Sequence, residues 1–184
     1  LTKRPAAEVA NKAAPVTVTQ LDARLVRTLG LADAAATLGV NARAAGLAVP
    51  SRFGTETVAR MLGLRTNHPA AQDDLELLPS APVTRAETAY SVARILRFGG
   101  WETQYVEDAA ATFELPLVRG WQKRVLDTAV RFVGFPYVWG GTSEKPEAPF
   151  GVEAPGGFDC SGFIWRVYKL QAYPGGATLS ATIK

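Results

Sequence analysis

Residues 134–141 read Gly-Phe-Pro-Tyr-Val-Trp-Gly-Gly and residues 157–163 read Gly-Phe-Asp-Cys-Ser-Gly-Phe, and the interpretation of the whole chain depends on these two blocks. The second block contains the only cysteine of the 184 residues. Apolar side chains follow it at positions 163, 164, 167 and 170, which is the spacing of a helix that buries one face. We therefore predict that Cys160 lies at the start of a helix.

A helix start suits a nucleophilic cysteine. Backbone N–H groups without intrahelical partners point at this position, and the positive end of the helix dipole favours an anion such as a thiolate. Glycines in both blocks leave room for another chain to approach the sulfur. A lone cysteine is most often a small buried hydrophobic residue, but the polar neighbours Asp159 and Ser161 favour a catalytic role.

The two blocks also resemble the signature of the NlpC-type bacterial cell-wall cysteine peptidases. Phe-Pro-Tyr-Val-Trp-Gly-Gly at 135–141 precedes Phe-Asp-Cys-Ser-Gly-Phe at 158–163, as in that family, and the resemblance covers roughly residues 118–172. The family has a papain-like α+β fold and cuts stem peptides of peptidoglycan, commonly between D-glutamate and diaminopimelate. The resemblance implies a cysteine endopeptidase without a metal or cofactor, with stem peptides as its partner and an extracellular or cell-wall location.

The same resemblance implies roles for five residues. Cys160 would attack the peptide carbonyl and form an acyl-enzyme. The Tyr137 hydroxyl would help to hold the developing oxyanion or the substrate, and Trp139 would wall the pocket. Asp159 and Ser161 would bind the free amino end of the stem peptide. Judged from the residues alone, the two aromatic side chains have ordinary core packing as their alternative, and Asp159 has helix capping.

The sequence departs from this family at the catalytic base. The family places a histidine well downstream of the cysteine, but no histidine follows Cys160 here. The only histidine, His68, lies in a proline-bounded loop and is interpreted as a surface residue rather than the base. We therefore expect a longer protein whose continuation supplies the base and the sheet strands. The 184 residues alone are expected to be inactive, with the face of the 163–170 helix exposed or covered by another chain.

An internal repeat occupies the first half of the chain. The pattern Leu-Val-Arg-Thr-Leu-Gly at 25–30 is echoed at 58–63 and 92–97, a period that predicts packed helical units. Thr17 with Gln20, and Thr84 with Glu87, have the spacing of a capping box. Gly30 and Gly63 fit helix ends.

The third copy of this repeat suggests a second family. Residues 83–96 are similar to a helix of surface-layer homology modules, which anchor proteins to cell-wall polymers. The repeats would then bind such a polymer. A purely structural helical module is the alternative.

The amino-acid composition limits the classes of protein to which this chain can belong. The chain is 47% hydrophobic and 20% charged, as globular proteins are. A formal charge of +3 without a dense Lys/Arg block gives no support for nucleic-acid binding. No apolar run approaches the roughly 18 residues that a membrane span needs.

We predict an α+β protein in four parts. Residues 1–15 are a tail or linker, 16–100 a helical repeat module and 101–117 a linker. Residues 118–184 are the N-terminal, mostly helical part of a papain-like peptidase domain whose sheet portion is missing. Two other functions stay open: a non-catalytic cell-wall binding or scaffolding protein, and an amidase or acyltransferase that uses the same cysteine.

Overall fold

The computed structural model describes residues 15–170, and the predicted tail lies outside this range except for residue 15. The described residues form seven α-helices and one small antiparallel sheet, in agreement with the α+β class. No helix among them is long and apolar enough to cross a membrane. The helices are α1 Val18–Thr28, α2 Ala32–Ala44, α3 Phe53–Met61, α4 Arg85–Ile95, α5 Trp101–Thr112, α6 Gly120–Arg131 and α7 Cys160–Lys169. The two strands are β1 Thr142–Ser143 and β2 Gly157–Phe158, and the two 3-10 helices are Ala70–Leu75 and Pro149–Gly151.

The larger hydrophobic core lies among α1, α2, α3 and α5 in the first part of the chain. Helix α3 packs directly on α2 because Gly54 has no side chain, and a Cβ there would collide with the Ala35 carbonyl. Burial of these apolar side chains is the main stabilising contribution of residues 15–112, which we call the helical part. Its fully buried members include Val26, Leu31, Val58, Leu62, Leu64 and Val106.

Helix ends follow the sequence signals. Thr17 and Gln20 form the predicted capping box, each side chain accepting a hydrogen bond from the other residue's N–H at 3.3 and 3.0 Å. Thr84 makes one half of the same pattern, because its Oγ1 accepts from the Glu87 N–H at 3.1 Å. Gly30 and Gly63 adopt left-handed backbone conformations just after α1 and α3, so the predicted helix ends are confirmed. The repeat itself stays a prediction.

Helix α5 stands where the sequence predicts a linker at 101–117. Its residues Val106 and Ala110 are one turn apart and both enter the core of the helical part. The Glu102 carboxylate accepts a hydrogen bond from the Gly99 N–H at 2.9 Å, which satisfies a donor at the helix start. Only residues 113–119 form an extended connection before α6.

A second, aromatic core joins α6, β2 and α7. The Phe132 and Phe158 rings lie 4.8 Å apart, and Phe135 and Phe163 pack around them. Val167 completes the buried set. The apolar face predicted for α7 is therefore covered in part by this chain's own aromatic side chains. Two of its members remain open, with Ile164 54% and Leu170 40% exposed.

Three arginines of the helical part, Arg52, Arg60 and Arg65, connect the two cores. Their guanidinium groups donate hydrogen bonds of 2.7 to 3.3 Å to backbone carbonyls at the end of α6 and in the turn that follows it. The acceptors are the carbonyl oxygens of Arg131, Val133, Gly134 and Phe135. These contacts fix the turn immediately before Tyr137 against the helical part.

Candidate active site

Cys160 is the first residue of α7 and its side chain is exposed. The residue before it, Asp159, has an extended backbone and serves as the N-cap. The prediction that the cysteine begins a helix is therefore confirmed. The sulfur sits where the helix presents its free N–H groups and the positive end of its dipole.

Asp159 accepts hydrogen bonds with both carboxylate oxygens. Oδ1 accepts from the Gly162 N–H at 2.6 Å and from the Ser161 hydroxyl at 2.8 Å. Oδ2 accepts from the Gly140 N–H at 3.2 Å, which joins the first glycine-rich block to the second. These bonds, that of Gly162 first, lower the pKa of Asp159, so the group stays ionised at neutral pH. Helix capping, one of its two sequence-based roles, is present.

A pocket of about 330 Å³ brings three predicted site residues together: Tyr137, Asp159 and Cys160. Two others lie outside its wall. The Trp139 side chain is 56% exposed, and Ser161 turns its hydroxyl to Asp159. The rest of the wall is mainly aromatic or apolar, with two polar residues from the helical part. It comprises Arg60, Asn67, Phe132, Phe135, Pro136, Phe158 and Phe163.

Backbone pairing places Tyr137 beside the cysteine block. Tyr137 forms a parallel bridge with Phe158, in which the Val138 N–H donates to the Phe158 carbonyl at 3.3 Å and the Phe158 N–H donates to the Pro136 carbonyl at 3.2 Å. Loss of hydration, and then the neighbouring acidic groups of Cys160, Asp159 and Asp73, raise the pKa of Tyr137. The hydroxyl therefore remains a hydrogen-bond donor at neutral pH.

The glycines of the two blocks serve close packing between the blocks. A Cβ on Gly162 would collide with the Gly141 carbonyl oxygen, and one on Gly157 would lie 2.7 Å from the Pro136 carbonyl oxygen. The Asp159 N–H donates to the same Gly141 carbonyl at 3.0 Å. From the sequence, these glycines were interpreted as leaving room for another chain to approach the sulfur. In the structure, the segment that packs against the glycines of the second block is the first block.

The helical part supplies polar groups that motif reasoning missed. Asp73, in the 3-10 helix Ala70–Leu75, accepts a hydrogen bond from the Trp139 N–H at 3.3 Å. Arg60 and Asn67 reach the wall of the Cys160 pocket. None of these residues belongs to either block, and only their tertiary contacts reveal them.

His68 is half-buried rather than on the open surface. Its Nδ1 lies 3.1 Å from Glu76 Oε1 and its Nε2 lies 3.6 Å from Glu87 Oε1, both carboxylates of the helical part. Burial, more than any nearby charge, raises the pKa of Glu87. Among the described residues no histidine lines the Cys160 pocket. That His68 is not the base stays a prediction.

Comparison with known proteins supports the resemblance of the second part of the chain. A model of the NlpC/P60 family matches residues 134–174. The gamma-D-glutamyl-L-lysine dipeptidyl-peptidase of Bacillus subtilis (strain 168) is 34% identical over 55 residues, which are 30% of this chain and 15% of the relative. The chain thus spans a small part of that relative's length. No solved structure matches the chain. The segment that carries Tyr137 and Cys160 is therefore similar to the NlpC/P60 family.

Proposed function

We propose that the protein containing this chain is a peptidoglycan hydrolase, a cysteine endopeptidase that cuts stem peptides with Cys160. The observation that carries this proposal is the exposed Cys160 at the start of α7, in one pocket with Tyr137 and Asp159. The NlpC/P60 match and the name of the Bacillus relative support the peptidase class. The bond proposed is that between D-glutamate and diaminopimelate.

The proposed reaction runs through an acyl-enzyme. The Cys160 thiolate attacks the peptide carbonyl carbon, a C–S bond forms, and the carbonyl oxygen becomes an oxyanion that the Tyr137 hydroxyl stabilises by donating a hydrogen bond. Collapse breaks the C–N bond and the amine leaves with a proton. Water then hydrolyses the thioester and restores the thiol. Both halves need a general base that also acts as an acid, and such a group is worth roughly 10² to 10⁴ in rate.

The proposal extends to the parts around the site. Helices α6 and α7 would belong to the N-terminal part of a papain-like domain. The helical part would either bind a cell-wall polymer or support the peptidase, and the protein would act outside the cell at the wall. Asp159 and Ser161 would bind the amino end of the stem peptide.

Digestion of purified peptidoglycan with the full-length protein tests the proposal. Mass spectrometry of the products should show a new free diaminopimelate amine. A product with an exchanged acyl acceptor, or release of an amide at a different bond, would favour the acyltransferase or amidase alternative. Absence of any product would favour the cell-wall binding or scaffolding alternative.

Cys160 should react with iodoacetamide at pH 7 faster than glutathione does. Its side chain is exposed at the start of α7, where backbone N–H groups without intrahelical partners and the positive end of the helix dipole lie beside the attacking sulfur. Mass spectrometry of the full-length protein over time gives the alkylation rate. A rate no higher than that of glutathione would contradict an activated thiol.

Asp159→Asn should raise KM more for stem peptides with a free amino end than for N-acetylated ones. Asparagine still caps helices well, so this change removes the charge and the Gly140 hydrogen bond to Oδ2 but largely keeps the cap, and the lost Gly140 bond affects both peptides equally. Steady-state kinetics on the matched peptide pair measure the difference. Equal losses on both peptides would show that Asp159 acts only as the cap.

Asp159→Ala, which removes the cap as well, should lower the free energy of unfolding by about 1 kcal/mol.

A further inference from the structure

A buried cluster of two carboxylates and two arginines lies behind the site. Asp22 of α1 and Glu56 of α3 are 1% and 0% exposed. The Arg65 guanidinium nitrogen Nη1 lies 3.5 Å from Glu56 Oε2 and 3.8 Å from Asp22 Oδ2. Thr19 donates its hydroxyl to Glu56 Oε1 at 3.1 Å. Two buried carboxyl groups therefore lie beside the same Arg65 guanidinium group.

The carboxyl groups have too few hydrogen-bond donors to be ionised together. Within residues 15–170, both oxygens of Asp22 and Oε2 of Glu56 are buried and accept no hydrogen bond. Burial first, and then the negative charge of Glu56, raises the pKa of Asp22 to about 7. Arg65 and Arg60 offset this only in part. A proton on Asp22 would provide the missing donor, with Glu56 as the acceptor.

The same cluster contacts the turn that presents Tyr137. Arg60 and Arg65 donate hydrogen bonds to the Gly134 carbonyl, and Arg60 also donates to the Phe135 carbonyl. The Glu56 carboxyl lies against Gly134 so closely that a Cβ there would stand 2.7 Å from it. Any shift of Glu56 or of the two arginines therefore reaches the turn directly.

Two further carboxylates act on the arginines: Glu76 acts on Arg60 together with Glu56 and Asp22, and Glu87 interacts with both Arg65 and Arg60. Burial, followed by repulsion from Arg65, lowers the pKa of Arg60. Arg60 and Arg65 both reach the Gly134 carbonyl in a buried environment, and two neighbouring buried cations need negative charge beside them. One ionised carboxyl of the pair supplies it, together with Glu76 and Glu87.

We propose that Asp22 and Glu56 are positioning residues: by sharing one proton they keep Arg60 and Arg65 on the carbonyls of residues 134 and 135, and so hold Tyr137 beside Cys160. When that proton leaves, the two carboxylates repel each other and compete for the arginines. The turn before Tyr137 then loosens. The catalytic consequence rests on the proposed function, whereas the proton sharing does not.

The sign of the pH dependence follows from Asp22. Its pKa is about 7 in the folded chain against 3.8 as the ordinary value, so the folded state binds more protons between these limits. The free energy of unfolding therefore falls as the pH rises from about 4 to about 7, and this contribution is lost above that range. Asp22→Asn mimics the protonated group and adds an N–H donor for Glu56.

Thermal unfolding of the full-length protein tests the proton sharing. The Tm of Asp22→Asn minus that of the wild type should increase by roughly 5 °C between pH 5 and pH 8, because only the wild type loses a proton there. Asp33→Asn, an exposed change on α2, is the matched control and should show no such increase. A Tm difference that stays constant over this range would overturn the proposal, whatever its absolute value.

The pH profile of kcat/KM on a stem peptide tests the positioning role. The ratio of Asp22→Asn to wild type should rise through one inflection near the pKa of Asp22, and the ratio for Asp33→Asn should stay flat. A flat ratio for Asp22→Asn together with the Tm effect would make Asp22 a stability residue only and overturn the positioning role. If the wild type cleaves no stem peptide at any pH, the proposed function fails and the positioning role with it, while the Tm arm still decides the proton sharing.

Discussion

Cys160→Ala should abolish hydrolysis of stem peptides by the full-length protein while leaving its thermal transition nearly unchanged. Without the sulfur no acyl-enzyme can form, and loss of a nucleophile lowers kcat by a factor on the order of 10⁴ or more. The side chain is exposed, so its truncation creates no cavity in either core. The N-cap of α7 is Asp159 rather than Cys160, so the helix start also remains intact.

Val40→Ala provides the matched control for this prediction. Val40 lies on α2, outside the Cys160 pocket, and its side chain is 56% exposed, so its truncation should affect neither activity nor stability by much. Hydrolysis is followed by release of the new amine, and stability by calorimetry. Activity that survives in Cys160→Ala would show a different nucleophile. A large drop in Tm together with the lost activity would show that the cysteine is structural.

Gly162→Ala should lower the free energy of unfolding by roughly 3 kcal/mol, a large effect for one methyl group. A Cβ at Gly162 would collide with the Gly141 carbonyl oxygen, which is backbone and cannot rotate away. The same carbonyl accepts the hydrogen bond from the Asp159 N–H, so any movement that relieves the collision weakens the contact between the two blocks. Urea unfolding of the full-length protein measures the loss, and kcat/KM should fall with it.

Gly39→Ala measures, as a control, the effect on stability of replacing a helical glycine by alanine where the new methyl group meets no backbone atom. Gly39 is also helical, but the nearest atoms to a new Cβ belong to the flexible end of the Arg43 side chain, at 3.3 Å. Replacing an unstrained helical glycine stabilises by roughly 0.5 to 1 kcal/mol. Gly39→Ala should therefore be neutral or slightly stabilising. If both variants behave alike, the contact between Gly162 and the Gly141 carbonyl is not tight.

Local signals predicted the elements that depend on local chemistry. The start of α7 at Cys160 follows from the 3.6-residue spacing of its apolar side chains and from the capping residue before it. The capping box of α1 and the glycines after α1 and α3 were likewise visible, because a cap is formed by residues three or four positions apart. The two motif blocks indicated Tyr137 and Cys160, which the structure brings into one pocket.

Features that depend on distant partners were missed. Helix α5 has only a short apolar stripe, Val106 and Ala110, and becomes recognisable through the core that it completes. The hydrogen bond between Asp73 and Trp139 joins residues 66 positions apart, and no periodicity or motif connects them. Trp139, predicted from its place in the block to wall the pocket, lies in the turn that follows Tyr137, and its side chain is 56% exposed.

Arg52 closes the end of α6 from outside that helix. Its Nε and Nη2 donate to the Val133 and Arg131 carbonyls at 3.0 and 2.7 Å, where the helix has no further N–H groups of its own to offer. The helical part is therefore not a freely exchangeable accessory. In a chimera that joined residues 118–170 to an unrelated partner, these carbonyls would lose their charged donor. Recombination should therefore keep the helical part and residues 118–170 together, or succeed only when the new partner places a cation beside these carbonyls.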